Sequence, residues 1–176
     1  MNAFESGARK LIPAVLVYAR QKNKLLMIRK SIPVSGYPFI WNGLGGKLEA
    51  DESPVQAARR ELKEEAGLDL LESSFQALGV LQFPNFKPKK NEDWIVFVFH
   101  LEISEQSLFQ PSAFQSPEGH LEWVHIDKLD EIPVWPGDRK FLPLVLGKRF
   151  FLGTIRYIQP GQRLGECWIT PLESRD

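Results

Sequence analysis

Residues 46–68 read GKLEADESPVQAARRELKEEAGL, and this stretch decides the fold. Ser53 is a good N-cap, Pro54 suits the first helical position, and Gln56 stands where a capping box wants Glu or Gln. Gly67 is placed to end the helix in a left-handed conformation. Val55, Ala58, Leu62 and Ala66 form an apolar stripe at three- and four-residue spacing. A capped, amphipathic helix is therefore expected between Ser53 and Gly67.

Three carboxylates, Glu61, Glu64 and Glu65, fall on this helix. Their spacing puts them on one face, expected roughly opposite Leu62 and Ala58. A solvated acidic face is the ordinary reading of such a cluster. Physics argues against it here. The helix dipole favours acids in the first turn, yet these sit in the last third, and like charges at i,i+3 and i,i+4 repel. Hard divalent cations want clustered oxygen ligands, and Mg²⁺ takes a few carboxylates together with substrate phosphates.

The rest of the chain reads as strands around this helix. Leu11–Tyr18, Lys24–Arg29, Phe75–Phe83, Trp94–Leu101 and Leu121–Ile126 are expected strands, and Gly153–Ile158 and Cys167–Thr170 close the chain. Ser31–Phe39, Phe86–Asp93 and Ser104–Pro117 read as loops. A second helix is expected from Asp138 to about Leu146, with Pro143 in its second turn and Gly147 after it. Strands and helices are mixed rather than strictly alternating, which points to an α+β or α/β sandwich and not a doubly wound parallel sheet. No repeat or linker divides the chain, so one domain over 1–176 is expected.

Composition narrows the function classes. The 176 residues hold 22 Lys+Arg and 22 Asp+Glu, a formal net charge of zero. Duplex nucleic-acid binders draw affinity from a basic excess, which is absent, so no such partner is expected. One cysteine, Cys167, excludes an intramolecular disulfide and makes a reducing, cytoplasmic compartment the default. It lies in the apolar stretch Glu166–Ile169 and is expected to be a small buried hydrophobe. The N-terminal residues lack the apolar core of a signal peptide, and no run is long enough for a membrane helix. His100, His120 and His125 are scattered without metal-ligand spacing and are expected to be structural or surface residues.

Residues 46–68 resemble the Nudix box, G-x5-E-x7-R-E-U-x-E-E-x-G-U with U a bulky aliphatic. Gly46, Glu52, Arg60, Glu61, Leu62, Glu64, Glu65, Gly67 and Leu68 fill every fixed position. Ordinary residue frequencies would give such a match about once in 10⁹ start positions. The resemblance implies a Nudix fold, an α/β/α sandwich with a mixed central sheet and a loop–helix–loop that binds divalent metal beside a substrate diphosphate. It implies Gly46 (through its carbonyl), Glu64 and Glu65 as metal ligands, with Glu61 as ligand or base. Which carboxylate acts as base stays open. Arg60 resembles the arginine that holds a box carboxylate in place, and Glu52 its structural partner. Mg²⁺, with Mn²⁺ as an alternative, is the implied cofactor.

The similarity extends outward, from about Lys10 to Thr170. Trp41-Asn42-Gly43-Leu44-Gly45-Gly46-Lys47 resembles the approach to the box in MutT-type purine nucleoside triphosphatases, closest to those that hydrolyse oxidised purine nucleotides. Trp135-Pro136-Gly137-Asp138 resembles their Trp-Pro-Asp-Asp segment, and Pro117-Glu118 to Trp123 the loop that supplies a late metal-binding glutamate, Glu118. Asn42, Phe83, Trp135 and Asp138 become candidates for a base pocket. Asn42 offers a donor and an acceptor to a purine edge, Trp135 a stacking face, and Asp138 an acceptor. Arg29, Lys30 and above all Lys47 could reach phosphates. Gly137 departs from the acidic pair on which discrimination of an oxidised base leans in those enzymes.

The implied activity is pyrophosphohydrolysis of a purine (deoxy)nucleoside triphosphate, of the dGTP or 8-oxo-dGTP kind, to the monophosphate and pyrophosphate. The protein would act as a monomer or homodimer. Hydrolysis of ADP-ribose or a nucleotide sugar is the alternative, suggested by Pro84, which stands near a proline that marks ADP-ribose hydrolases of the family. Capped or triphosphorylated RNA would give the basic tip Lys87-Pro88-Lys89-Lys90 a role. A non-catalytic domain that senses a nucleotide or binds a protein is a further reading.

Overall fold

The computed structural model describes residues 8–30, 39–107, 109–111, 116, 118–159 and 163–172. Among these residues eight strands form: β1 (Lys10–Gln21), β2 (Lys24–Lys30), β3 (Ile40–Asn42), β4 (Gln76–Lys87), β5 (Glu92–Glu102), β6 (His120–His125), β7 (Phe151–Gln159) and β8 (Arg163–Pro171). Helix α1 spans Pro54–Ala66 and α2 spans Asp138–Leu146. The strands join in the order β3-β2-β1-β5-β4-β7-β8, with β6 on β2. Pairing is mixed. β1 runs parallel to β5 and β4 parallel to β7, while β1–β2, β4–β5 and β7–β8 are antiparallel.

Side chains alternate across a strand, and here both faces of the sheet are covered. In β1, Ala14 and Tyr18 enter one buried cluster, and Val15, Val17 and Ala19 the other. In β2 the division is Leu25 and Met27 against Leu26 and Ile28. Helix α1 lays Ala57, Ala58, Leu62 and Ala66 on the second cluster. Helix α2 lays Phe141, Leu142 and Val145 on the first. One helix thus covers each face, giving the expected α+β sandwich. Leu62 is fully buried, and burying such a side chain contributes about 1.5–3 kcal/mol. Among the described residues no helix is long and apolar enough to cross a membrane.

Several boundaries differ from the expectation. The loop expected at Phe86–Asp93 contracts to a turn at Pro88–Asn91, because β4 continues to Lys87 and β5 starts at Glu92. Phe86 packs edge-on against Trp94 at 5.3 Å and carries the ribbon past the charged residues. Asn91 closes the turn with φ 60, a conformation Asn tolerates. The short strand β3 was not expected. It forms because Ile40–Asn42 pair with β2 while Trp41 N–H donates to the Pro133 carbonyl at 2.8 Å. Cys167 is half-buried on β8, not fully buried. His100 is buried in β5, consistent with a structural place. The stretch from Ser31 to Pro38 lies outside the described residues, as does Pro117.

Candidate active site

The approach to α1 runs along β1. Val17 N–H donates to the Leu44 carbonyl at 2.7 Å, Val15 N–H to Gly46 at 2.8 Å, and Leu48 N–H to Pro13 at 3.1 Å. This close passage requires glycine. Gly45 has φ +147, and a Cβ there would lie 2.1 Å from the Val15 carbonyl oxygen. A Cβ on Gly46 would lie 2.3 Å from Glu61 Oε1.

Helix α1 is capped at both ends as its residues predict. Ser53 Oγ accepts from Gln56 N–H at 3.3 Å, and Gln56 Oε1 accepts from Ser53 N–H at 2.9 Å. Gly67 has φ 70 and donates to the Lys63 carbonyl. On the helix, Arg60 gathers the box. Its guanidinium donates to both oxygens of Glu52 at 2.9 Å, to Glu61 Oε1 at 2.8 Å, to Glu64 Oε2 at 3.2 Å and to the Lys47 carbonyl at 3.0 Å. Side-chain bonding from Arg60, against some desolvation, lowers the Glu52 carboxyl below its ordinary range.

The carboxylates do not all look away from the core, which corrects the expectation. Glu61 and Glu65 are 7% and 2% exposed and share the buried side of α1 with Ala57 and Ala58. Only Glu64 points outward, its side chain 56% exposed. The side-chain-free loop Gly45–Gly46 is the reason: it leaves room beneath it, and Gly45 N–H donates to Glu65 Oε2 at 2.7 Å. Burial raises the Glu61 carboxyl, against the pull of Arg60. Burial likewise raises Glu65, against Lys30 and the Gly45 N–H. Desolvation alone would raise Glu118 too, but the adjacent Lys30 ammonium holds it below its ordinary value.

The donor set fits a hard divalent cation. It consists of carboxylate oxygens and the Gly46 carbonyl, which keeps a second lone pair beside its bond from Val15. Glu65 Oε1 is buried and accepts no hydrogen bond. Among the described residues no three acidic, His or Cys side chains already surround a common point. Arg60 holds Glu61 and Glu64 to one side, and Lys30 stands between Glu65 and Glu118.

A cavity of about 770 Å³ opens at this corner. Gly46, Lys47, Arg60, Glu61 and Glu118 line it, as do Asn42, Phe83, Trp135 and Asp138. Glu64 and Glu65 are not in its wall, Glu65 lying behind Gly45. Arg29 does not reach the cavity, contrary to expectation. Its guanidinium stacks over Phe39 at 5.1 Å and Trp41 at 5.8 Å, and its neighbour Lys30 lines the cavity instead.

Asp138 is 6% exposed and opens α2, but it is not the N-cap, which is Gly137. Burial pushes its carboxyl up to about 7. Tyr157 was not expected. It lines the cavity, its hydroxyl accepts from Gly137 N–H at 3.0 Å, and a Cβ on Gly137 would stand 2.7 Å from that oxygen. A tyrosine hydroxyl therefore occupies the space beside the first position after Trp135-Pro136. Phe86, Lys87 and Trp94 also line the cavity, with the ammonium groups of Lys47 and Lys87 at 5.3 and 4.7 Å from the Trp94 ring. A shallower depression of about 490 Å³ on the outer side of α1 is edged by Arg59, Lys63 and Asp69, which pair with one another.

The chain is 31% identical over 122 residues to the oxidized purine nucleoside triphosphate hydrolase of Danio rerio, covering 66% of this chain and 69% of that one. It is 27% identical over 154 residues to the NAD-capped RNA hydrolase NudC of Stutzerimonas stutzeri, covering 86% of this chain and 50% of that one. Among solved structures, the MutT protein of Bacillus halodurans superposes with a TM-score of 0.73 at 27% identity, over 90% of this chain and 97% of that one. The NUDIX domain matches residues 10–145, and the chain belongs to the Nudix hydrolase family.

Proposed function

We propose that this Nudix pyrophosphohydrolase acts on a purine (deoxy)nucleoside triphosphate, oxidised forms such as 8-oxo-dGTP included, and releases the monophosphate and pyrophosphate. One observation carries the proposal. A single cavity joins the carboxylate corner at Gly46 and Glu61 to Asn42, Phe83, Trp135 and Asp138, so a base and its phosphates fit one continuous space. The similarity to the Danio rerio enzyme supports the same substrate class.

The Gly46 carbonyl, Glu61, Glu64, Glu65 and Glu118 would hold Mg²⁺ or Mn²⁺, with Arg60 bonded to one oxygen each of Glu61 and Glu64. Such an ion, when bound, would supply positive charge to the phosphate oxygens and would make a nearby water a better nucleophile. The chain's own residues do the rest by positioning, as phosphoryl transfer requires. Glu52 fixes Arg60, which orients Glu61 and ties α1 to the Lys47 carbonyl. Lys47 offers its ammonium to the phosphates. The Asn42 amide gives a donor and an acceptor to the purine edge. With its carboxyl near neutrality, Asp138 can donate or accept toward the ring. Trp135 and Phe83 present faces for stacking.

Two variants test this reading. Glu64→Gln should cut Mg²⁺-dependent turnover by about 10²-fold or more, and parental turnover would remove Glu64 from the metal site. Asn42→Ala should change the ratio of kcat/KM values among bases, and an unchanged ratio would remove Asn42 from the base pocket.

A further inference from the structure

We infer that Lys30 is a resident counter-cation of the carboxylate cluster, displaced by the incoming divalent ion onto the substrate's phosphates. The inference rests on the reading above, in which Glu65 and Glu118 belong to a metal site. The Lys30 ammonium contacts Glu118 Oε2 and lies 3.5 Å from Glu65 Oε1. Strand alternation puts it there. Arg29 leaves β2 on the opposite face and is occupied by Phe39 and Trp41.

Glu65 Oε1 is the second observation. The Glu65 side chain is 2% exposed and its other oxygen is held by Gly45 N–H, yet Oε1 has no hydrogen-bond partner. At 3.5 Å the ammonium relieves its charge without hydrogen-bonding to it. A buried carboxylate oxygen held this way is compensated but not saturated.

A lysine ammonium is a point charge on a flexible stem, able to leave without moving the backbone. A Mg²⁺ ion takes carboxylate oxygens at about 2.0–2.1 Å, and an ammonium against the same oxygens would be repelled. Metal entry therefore expels Lys30. The cavity it lines gives it a destination, the polyphosphate of a bound nucleotide. In the free protein expulsion costs an ion pair, so divalent affinity is weak. With nucleotide bound, Lys30 gains phosphate oxygens, so metal and nucleotide bind cooperatively, each raising the affinity of the other. Lys30 is a positioning residue in the free protein and a phosphate ligand in the loaded one.

The test is Mn²⁺ titrated into the free, full chain at one pH, followed by the electron paramagnetic resonance of the unbound ion. Lys30→Met and Lys30→Gln should bind Mn²⁺ about tenfold or more tightly than the parent, since a competing positive charge is gone. Lys30→Arg should stay within about twofold of the parent, since its charge is kept. Under turnover with saturating Mg²⁺, Lys30→Met should raise KM about tenfold with a smaller fall in kcat. Unchanged or weaker Mn²⁺ binding by both neutral variants overturns the role of Lys30, provided that the parent binds and Glu65→Gln does not. Absence of Mn²⁺ binding by the parent overturns the metal-site reading itself, and the inference with it.

Discussion

Arg60 grips Glu52 at two points, Nε to Oε1 and Nη2 to Oε2, each at 2.9 Å. The fork leaves Nη1 free to donate to Glu61 and Glu64, so one structural pair sets the position of two candidate ligands. Glu52→Gln should lower unfolding free energy by about 1.5–3 kcal/mol in urea titration, the range for hydrogen bonds to charged groups. The pH dependence has a fixed sign. Arg60 holds the Glu52 carboxyl below its ordinary value, so its stabilisation is present above the unfolded pKa and fades as pH falls through the folded one. The stability gap between parent and variant should narrow in acid.

Gly46→Ala would drive a methyl group to within 2.3 Å of Glu61 Oε1. The loop is tied to β1 on the other side through Val15, so Glu61 must move. A misplacement near 1 Å costs about 10²-fold in rate, and that loss of kcat is expected with the circular dichroism of the parent.

Asp138→Asn should stabilise the protein in a pH-dependent way. Burial raises the Asp138 carboxyl from 3.8 to about 7. The folded state therefore binds a proton more tightly than the unfolded chain. Its stabilising effect is complete below the unfolded value and is lost as pH rises through the folded one, a change of about 4 kcal/mol in all. The variant lacks this titration. Its Tm should gain on that of the parent between about pH 4 and pH 7, and the difference should level off above.

Ser53→Ala removes the bond from Gln56 N–H to Ser53 Oγ, leaving the one from the residue-53 N–H to Gln56 Oε1, and should cost about 1 kcal/mol in thermal or urea unfolding. That cap was legible in the sequence because it is local: donor, acceptor and turn lie within four residues. Both helices and most strands were legible for the same reason, from periodicity and caps. What depends on distant packing was not. In KLLMIRK both strand faces are buried, so no polar alternation sets the phase, and nothing local says that Lys30 rather than Arg29 meets the cavity. The inward turn of Glu61 and Glu65 depends on space left by Gly45 and Gly46, residues outside the helix. Tyr157 reaches Gly137 from β7, and no motif links the two positions. The charged run after Phe86 reads as a loop by composition, while the Phe86–Trp94 contact lies at a register shift between Phe83 and Lys87 that no local pattern marks.

The most direct measurement is kcat/KM of the purified chain with Mg²⁺ across normal purine triphosphates, 8-oxo-dGTP, ADP-ribose and nucleotide sugars, with products separated by chromatography. The cavity geometry predicts that a purine triphosphate is the best substrate, that monophosphate and pyrophosphate form in equal amounts, and that EDTA abolishes turnover. A higher kcat/KM for ADP-ribose than for every triphosphate would contradict it.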